Sequence, residues 1–234
     1  GLLGQSRLSG VGGAASAAGS RTTVSGVYVV DADVSLTKLP NGTPTVAGIV
    51  AGNAFSSAVP GSLVVQDSLV TGKFAIESNN NVTNFSPVFG GIVASHAFMQ
   101  RVGFDGTVTI SSAPTGTGTL RVGGLAGSQG NGRNVVAINN SYARDIFTIS
   151  GNYNAASSLG GLHGSLTGGF STSDVVTGAN QGPIVVGINN SVVDNTWNIS
   201  GLVVNNGGTL VRLAGSRLAA AGNDEELLPV LLRI

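Results

Sequence analysis

The chain has 234 residues, only 9% of them charged, and its eleven basic and eleven acidic side chains cancel. With no basic patch to neutralise phosphates, nucleic acid is excluded as a partner class, and with no cysteine the chain carries neither disulfides nor thiol chemistry. The 37 glycines suit stacked strands and tight turns rather than helices, and no stretch approaches the roughly 18 unbroken apolar residues of a membrane helix.

The composition also bears on location. Low charge, abundant Gly, Ser, Thr and Asn, and the absence of Cys are typical of exported bacterial proteins, so we expect an extracellular or cell-surface location. The first residue is Gly rather than Met, which indicates that a leader was removed or that the chain is a trimmed piece.

In chain order, the sequence divides into an N-terminal end segment (1–22), a series of coils (23–222) and an apolar C-terminal strand (223–234). Each unit opens with an apolar step that is flanked by glycine. The steps are Gly1-Leu2-Leu3-Gly4, Gly48-Ile49-Val50-Ala51-Gly52, Gly91-Ile92-Val93-Ala94, Gly124-Leu125-Ala126-Gly127, Gly161-Leu162-His163-Gly164 and Arg212-Leu213-Ala214-Gly215. The Gly/Ser/Thr-rich stretch 165–182 is predicted to be a projecting loop.

Each unit closes with a short strand in which apolar residues alternate with small or polar ones. The strands are Val34–Leu36, Phe74–Ile76, Val108–Ile110, Phe147–Ile149 and Trp197–Ile199. Stacking them in register predicts two inward columns, which begin at Val34 and Leu36, and an outward column between them that begins at Ser35. The apolar period of two excludes a helix in these segments.

The clearest repeat joins residues 135–151 (VVAINNSYARDIFTISG) to residues 185–201 (VVGINNSVVDNTWNISG), which align without a gap at a shift of fifty residues. Repetition on this scale is typical of chains that stack copies of one supersecondary unit. The sequence therefore predicts an all-β, single-domain parallel β-solenoid of about six irregular coils.

The GGLAG…NNSYA…FTISG pattern within residues 122–151 resembles the GLUG repeat, a glycine-leucine-any-glycine motif of bacterial surface proteins and adhesins. The similarity is fair over residues 159–201 and weaker over 46–78 and 89–112. The resemblance implies a parallel β-solenoid on a secreted or surface-attached chain, and it implies no catalytic residue.

The same register predicts structural ladders of charged and amide side chains. The ladders contain Asp105, Arg144 and Asp194 in one column, and the amide pairs Asn139 with Asn189 and Asn140 with Asn190 in two others. Successive strands lie about 4.8 Å apart, so the three charges would alternate in sign on adjacent levels, which is mildly favourable. Each Asn pair is expected to bond side chain to side chain. The column of Asn140 and Asn190 also contains Asp67 and Arg101, which pair on the preceding levels.

Few acidic residues suggest chemistry. Asp105 and Asp194 could form a catalytic carboxylate pair, but Arg144 between them would hold both ionised, which favours a ladder that fixes register. Asp31 and Asp33 could suggest a cation site, but two carboxylates without a ligand-rich loop are more typical of a strand edge. We therefore predict no catalytic residue, no metal site and no cofactor.

The histidines and tyrosines also give little indication of a functional site. His96 and His163 lie on different coils, and a metal site needs at least three ligands. His163 replaces the small residue of a Gly-Leu-x-Gly step, so we expect it at the surface or in a turn. Tyr142 and Tyr153 are candidates for exposed platforms on which a sugar could stack, although no pattern singles them out.

Both ends of the chain are apolar, which suggests self-association. The candidate residues are Leu2, Leu3, Leu227, Leu228, Val230, Leu231, Leu232 and Ile234. Pro229 favours an edge strand, where a missing donor is tolerated. The C-terminal strand could cap its own last coil or dock onto the next copy, and a head-to-tail contact that does not close grows into a filament.

The sequence thus favours a non-enzymatic extracellular structural protein, a subunit of a self-assembling head-to-tail surface filament and hence a homo-polymer. The alternative is an adhesin stalk, or a fragment of one, that binds a host or matrix ligand such as a cell-surface glycan. A carbohydrate-active solenoid is less favoured because charges are scattered, and an ice-binding solenoid because the outward column is only partly Thr.

Overall fold

The computed structural model describes residues 22–51, 63–95, 97–127, 137–154, 157–166, 187–200 and 212–216. Within these ranges every regular element is a β-strand, so the predicted all-β class is confirmed. The strands are β1 (Thr22–Ser25), β2 (Tyr28–Leu39), β3 (Thr45–Ala47), β4 (Leu63–Ser78), β5 (Val88–Gly90), β6 (Phe98–Ser111), β7 (Arg121–Gly123), β8 (Ala137–Asn139), β9 (Tyr142–Ser150), β10 (Ser158–Leu166), β11 (Gly187–Asn189), β12 (Val192–Val193), β13 (Thr196–Ser200) and β14 (Arg212–Ser216).

The strands form two sheets in which the described pairs are all parallel. The larger sheet has nine strands in the order β1-β4-β6-β8-β11, with β2 also beside β4, β9 beside β6, and β12 and β13 beside β9. The smaller sheet has the order β14-β10-β7-β5-β3. The chain visits the two sheets alternately, and each sheet is stacked in five levels, which we call rungs.

The register of the larger sheet is the one that the alternating strands predict. Val34 pairs with Phe74, Phe74 with Val108, Val108 with Phe147, and Phe147 with Trp197. The second inward column, from Leu36 to Ile199, and the outward column, from Ser35 to Asn198, follow in the same register. Because side chains alternate between faces, one correct pairing fixes the orientation of the alternating segment around it.

The core lies between the two sheets and is rich in aromatic contacts. Phe89 of β5 packs edge-on against Phe74 and Phe147 of the larger sheet, with ring centroids 5.4 and 6.2 Å apart, and it also meets Phe104 at 5.8 Å. Trp197 stacks on Phe147 at 4.2 Å. Burial of such rings is the main favourable term that holds the two sheets together.

The Gly-flanked apolar steps stack on one another beside the smaller sheet. Val50 pairs with Val93, Val93 with Ala126, and Ala126 with His163, all in parallel. His163 is therefore fully buried in this column, and the prediction that it lies at the surface or in a turn is wrong. The first step, Gly1–Gly4, lies outside the described residues, as do His96 and the predicted projecting loop over most of its length.

Close stacking explains the glycines of the steps. A Cβ atom added at Gly124 would overlap the Gly161 carbonyl oxygen and the Ala143 Cβ, and would lie 2.8 Å from an Asp145 oxygen. Only a residue without a side chain lets the backbones of successive rungs approach this closely.

We predict that Gly124→Ala lowers the free energy of unfolding by about 1–3 kcal/mol, the usual cost of overpacking a tight site. Gly26→Asn is the matched control, because Gly26 has a φ of 69° with nothing within 4 Å of an added Cβ, and Asn tolerates this conformation. Urea unfolding of both variants measures the difference. Equal stability losses would show that the Gly124 contact does not restrict the stack.

Candidate functional site

The structure brings together the three charges of the predicted ladder. Arg144 lies between Asp105 and Asp194 on adjacent rungs, with Nη1 3.8 Å from an Asp105 oxygen and Nε 3.8 Å from an Asp194 oxygen. All three side chains are exposed, so each ion pair contributes little to stability. The column therefore suits a role in register, and its geometry offers no carboxylate pair free of a cation.

The two predicted amide pairs also meet. Asn189 Nδ2 donates to Asn139 Oδ1 at 2.9 Å, and Asn190 Nδ2 donates to Asn140 Oδ1 at 2.6 Å. Each bond joins the same position of two successive rungs, so a slip of one residue would break both.

Asn140 and Asn190 belong to the column that the sequence predicts with Asp67 and Arg101, and the structure shows that this column is a corner, which we call the corner column. Asp67, Arg101, Asn140 and Asn190 have φ values between 46° and 51°, in the left-handed region that few non-glycine residues adopt. Gly26 holds the same place on the first rung with a φ of 69°. Each of these residues turns the backbone of the larger sheet, and together they form a row of side chains along its outer surface.

Buried serines stabilise this corner from inside. Ser141 Oγ donates to the Asn139 carbonyl at 2.8 Å and accepts the Val102 N–H of the preceding rung at 3.2 Å. Ser191 repeats the pattern by accepting the Ser141 N–H and donating to Asn189. The repeated Asn-Asn-Ser motif therefore encodes a corner residue followed by a serine that replaces a missing ladder bond.

We predict that Ser141→Ala lowers the free energy of unfolding by about 1–3 kcal/mol, because it leaves the buried Val102 N–H without an acceptor. Ser35→Ala is the matched control, since Ser35 is exposed in the outward column and Ala75 follows it on the next rung. Thermal and urea unfolding of the two variants should differ clearly. A neutral Ser141 variant would contradict the assigned role.

The corner column includes a strong ion pair. Arg101 donates to Asp67 through Nε at 2.6 Å and through Nη2 at 2.9 Å, a bidentate arrangement between adjacent rungs. The hydrogen bond from Arg101 holds the pKa of Asp67 below its ordinary value, and the same bond raises the pKa of Arg101. Both groups therefore stay charged over a wide pH range.

An open groove of about 380 Å³ lies beside this pair on the outer surface. Tyr28, Leu69, Gly103 and Tyr142 line it on one side, and Asp67, Ser68, Arg101, Val102 and Asn140 complete its lining. Tyr142, a candidate platform from the sequence, is half-buried here, whereas Tyr153, the other candidate, is buried in the core and cannot present its ring to a ligand.

Asp145 is a buried acid that the sequence analysis missed. It is only 2% exposed, and neither carboxyl oxygen has a hydrogen bond of good geometry to the described residues. Burial, and then the nearby charge of Asp105, raise the pKa of Asp145 to about 9, while the Gly106 amide acts in the opposite direction. Counting back in steps of two from Phe147 places Asp145 on the inward face, which is the signal that could have found it.

Because the pKa of Asp145 is raised in the folded state, the free energy of unfolding depends on pH. The folded state keeps the proton up to about pH 9, whereas the unfolded chain releases it near 3.8. The stability associated with the bound proton is therefore fully present below about pH 3.8 and is lost as the pH rises toward 9. The native stack tolerates this acid because the protonated form is neutral.

We predict that Asp145→Asn removes this loss. Between about pH 5 and pH 7 the free energy of unfolding of the wild type should fall by about 3 kcal/mol relative to the variant, since each pH unit contributes about 1.4 kcal/mol. Urea unfolding across that range measures the effect, with Asp33→Asn on exposed β2 as the control. Parallel pH profiles for the wild type and Asp145→Asn would contradict it.

The predicted self-association residues, Leu2, Leu3, Leu227, Leu228, Val230, Leu231, Leu232 and Ile234, lie outside the described residues. Within the described ranges, no three His, Asp or Glu side chains are grouped so that they could hold a metal ion. The same part of the chain contains no helix that is long and apolar enough to span a membrane.

Comparison with known proteins finds no matching family model, no similar curated protein and no similar solved structure. The resemblance to the GLUG repeat gains no support from these comparisons and stays a prediction.

Proposed function

We propose that the chain is a parallel β-solenoid that serves as a non-enzymatic structural protein outside the cell and assembles head to tail. The alternation between two parallel sheets supports the solenoid. Along the chain, a strand of one sheet always lies between two strands that are neighbours in the other sheet. Parallel backbone pairing through successive rungs of both sheets suits a stiff rod.

The observation that supports the proposed assembly is the exposure of apolar side chains on the two end rungs of the larger sheet. On the first rung, the inward residues Val34 and Leu36 are only partly buried, whereas Phe74 and Ile76 beneath them are buried. On the last rung of the larger sheet, Ile199 is 42% exposed, although Ile149 below it is fully buried. The inward columns thus end in apolar side chains at both faces.

The two end rungs are complementary for a parallel contact. Trp197 and Ile199 end the same two columns that Val34 and Leu36 begin, so the β13 edge of one copy presents the register that the β2 edge of another continues. Within the described residues, neither edge is paired on its outer side. A contact of this kind is heterologous and grows without closing.

The test is negative-stain electron microscopy of the purified chain at rising concentration. We predict uniform filaments a few nanometres wide (about the cross-section of two packed sheets with their side chains) for the wild type, and single rods for Ile199→Lys, because a charge at the end of a column opposes stacking. Static light scattering under the same conditions gives the mass per particle.

Ile146→Lys is the matched control. Ile146 is 48% exposed, similar to Ile199, but it faces outward on the interior strand β9. It should leave filament growth unchanged. Monodisperse rods of the wild type at every concentration would contradict the assembly, and loss of filaments in both variants would contradict the end-to-end contact.

A further inference from the structure

The groove beside the corner column has one apolar wall. Tyr28, Leu69, Gly103 and Tyr142 occupy the same position of four successive rungs of the larger sheet. Tyr28 is 67% exposed, which is unusual for a large aromatic side chain and leaves its ring available to a ligand. The Tyr142 ring lies over Gly103, because a Cβ at that glycine would overlap the ring.

These positions set the size of the groove. Tyr28 and Tyr142 are three rungs apart, or about 14 Å at the usual strand spacing. Since the Tyr142 ring covers the Gly103 rung, the open floor between the two tyrosines is shorter, about 10 Å, and has Leu69 at its centre. A rigid sheet therefore holds two aromatic rings at opposite ends of a short apolar floor.

The other wall is polar and held in place. Asp67 engages Nε and Nη2 of Arg101, and no described residue accepts a hydrogen bond from Nη1. Asn190 donates to Oδ1 of Asn140, which orients the amide. The wall thus offers a carboxylate, guanidinium and amide whose rotamers are set before a ligand arrives, which lowers the entropic cost of binding.

The charge of the groove selects the kind of ligand. Asp67 and Arg101 cancel, and the lining contains no other Asp, Glu, Lys or Arg. A phosphate or carboxylate ligand would find one cation that a carboxylate already neutralises, so anions are disfavoured. A neutral ligand with an apolar face and several hydroxyl groups matches both walls.

We propose that this groove is a binding site for a neutral saccharide of about two sugar rings. The C–H faces of the sugar pack on Tyr28 and Tyr142, and its hydroxyl groups pair with Asp67, Arg101 and Asn140. The groove opens on the outer surface of the stack, whereas the proposed assembly uses the ends of the inward columns, but Tyr28 lies on β2, the strand whose edge takes part in that assembly.

The experiment uses lactose, cellobiose, maltose and chitobiose as neutral probes, with sialyllactose and inorganic phosphate as anionic ones. Saturation-transfer NMR detects contact with the wild-type chain, and calorimetric titration gives Kd. We expect at least one neutral disaccharide to bind with a Kd of about 1 mM, and neither anion to bind more tightly.

Tyr28→Ala should weaken that binding about tenfold, since it removes one stacking face. Val30→Ala is the matched control, because Val30 is 63% exposed on the same strand and does not line the groove. Tyr28→Phe should restore most of the affinity, because it keeps the ring. Circular dichroism and urea unfolding establish that the three variants fold alike.

Gly103→Ala gives a second check, since its Cβ would displace the Tyr142 ring, and it should weaken binding without touching Tyr28. Absence of binding by every neutral probe at about 20 mM would overturn the proposal. So would tighter binding of phosphate or sialyllactose, or equal affinity of Tyr28→Ala and Val30→Ala.

Discussion

Parallel pairing of each strand with its counterpart one rung away is the constraint on which the rest of the structure depends. It places identical positions of successive repeats about 4.8 Å apart, so every side chain meets its own equivalents above and below. Apolar residues then form continuous inward columns, amides bond to amides, and opposite charges can alternate, as Asp105, Arg144 and Asp194 do. The same spacing leaves no room for a Cβ at glycines such as Gly124.

Much of this could be predicted because the physical rule is local and repetitive. A strict period of two fixed the register of the columns from Val34 to Trp197, and the repeated Asn-Asn-Ser motif pointed to the amide pairs. The corner conformation at Asp67 and Arg101 was not foreseen, since side chains that tolerate a positive φ do not share one identity. The register places these residues in one column, but only the backbone angles show that the column is a corner.

The buried polar residues that were misplaced or missed are His163, which was expected at the surface or in a turn, and Asp145, which was not considered. Asp145 continues the alternating inward positions of β9, and His163 occupies the column of Ala126 in a stretch where consecutive residues are all buried. In this stack the backbone pairing, rather than the polarity of a side chain, determines whether that side chain faces the core. Asp145 is neutral in the folded state because it keeps its proton, whereas a buried ammonium group becomes neutral only by releasing one.

The two proposed activities use different faces of the stack, but both involve β2, which carries Tyr28 as well as Val34 and Leu36. Assembly would use the exposed ends of the inward columns, while saccharide binding would use the outer surface at the corner between Tyr28 and Tyr142. A head-to-tail array would repeat the groove once per copy along one side of the filament. Weak sites at fixed spacing on a stiff support bind a polymeric glycan far more tightly than one site does, because each later contact is intramolecular. A Kd of about 1 mM at each groove is therefore sufficient for a polymerised chain to hold a polymeric glycan firmly.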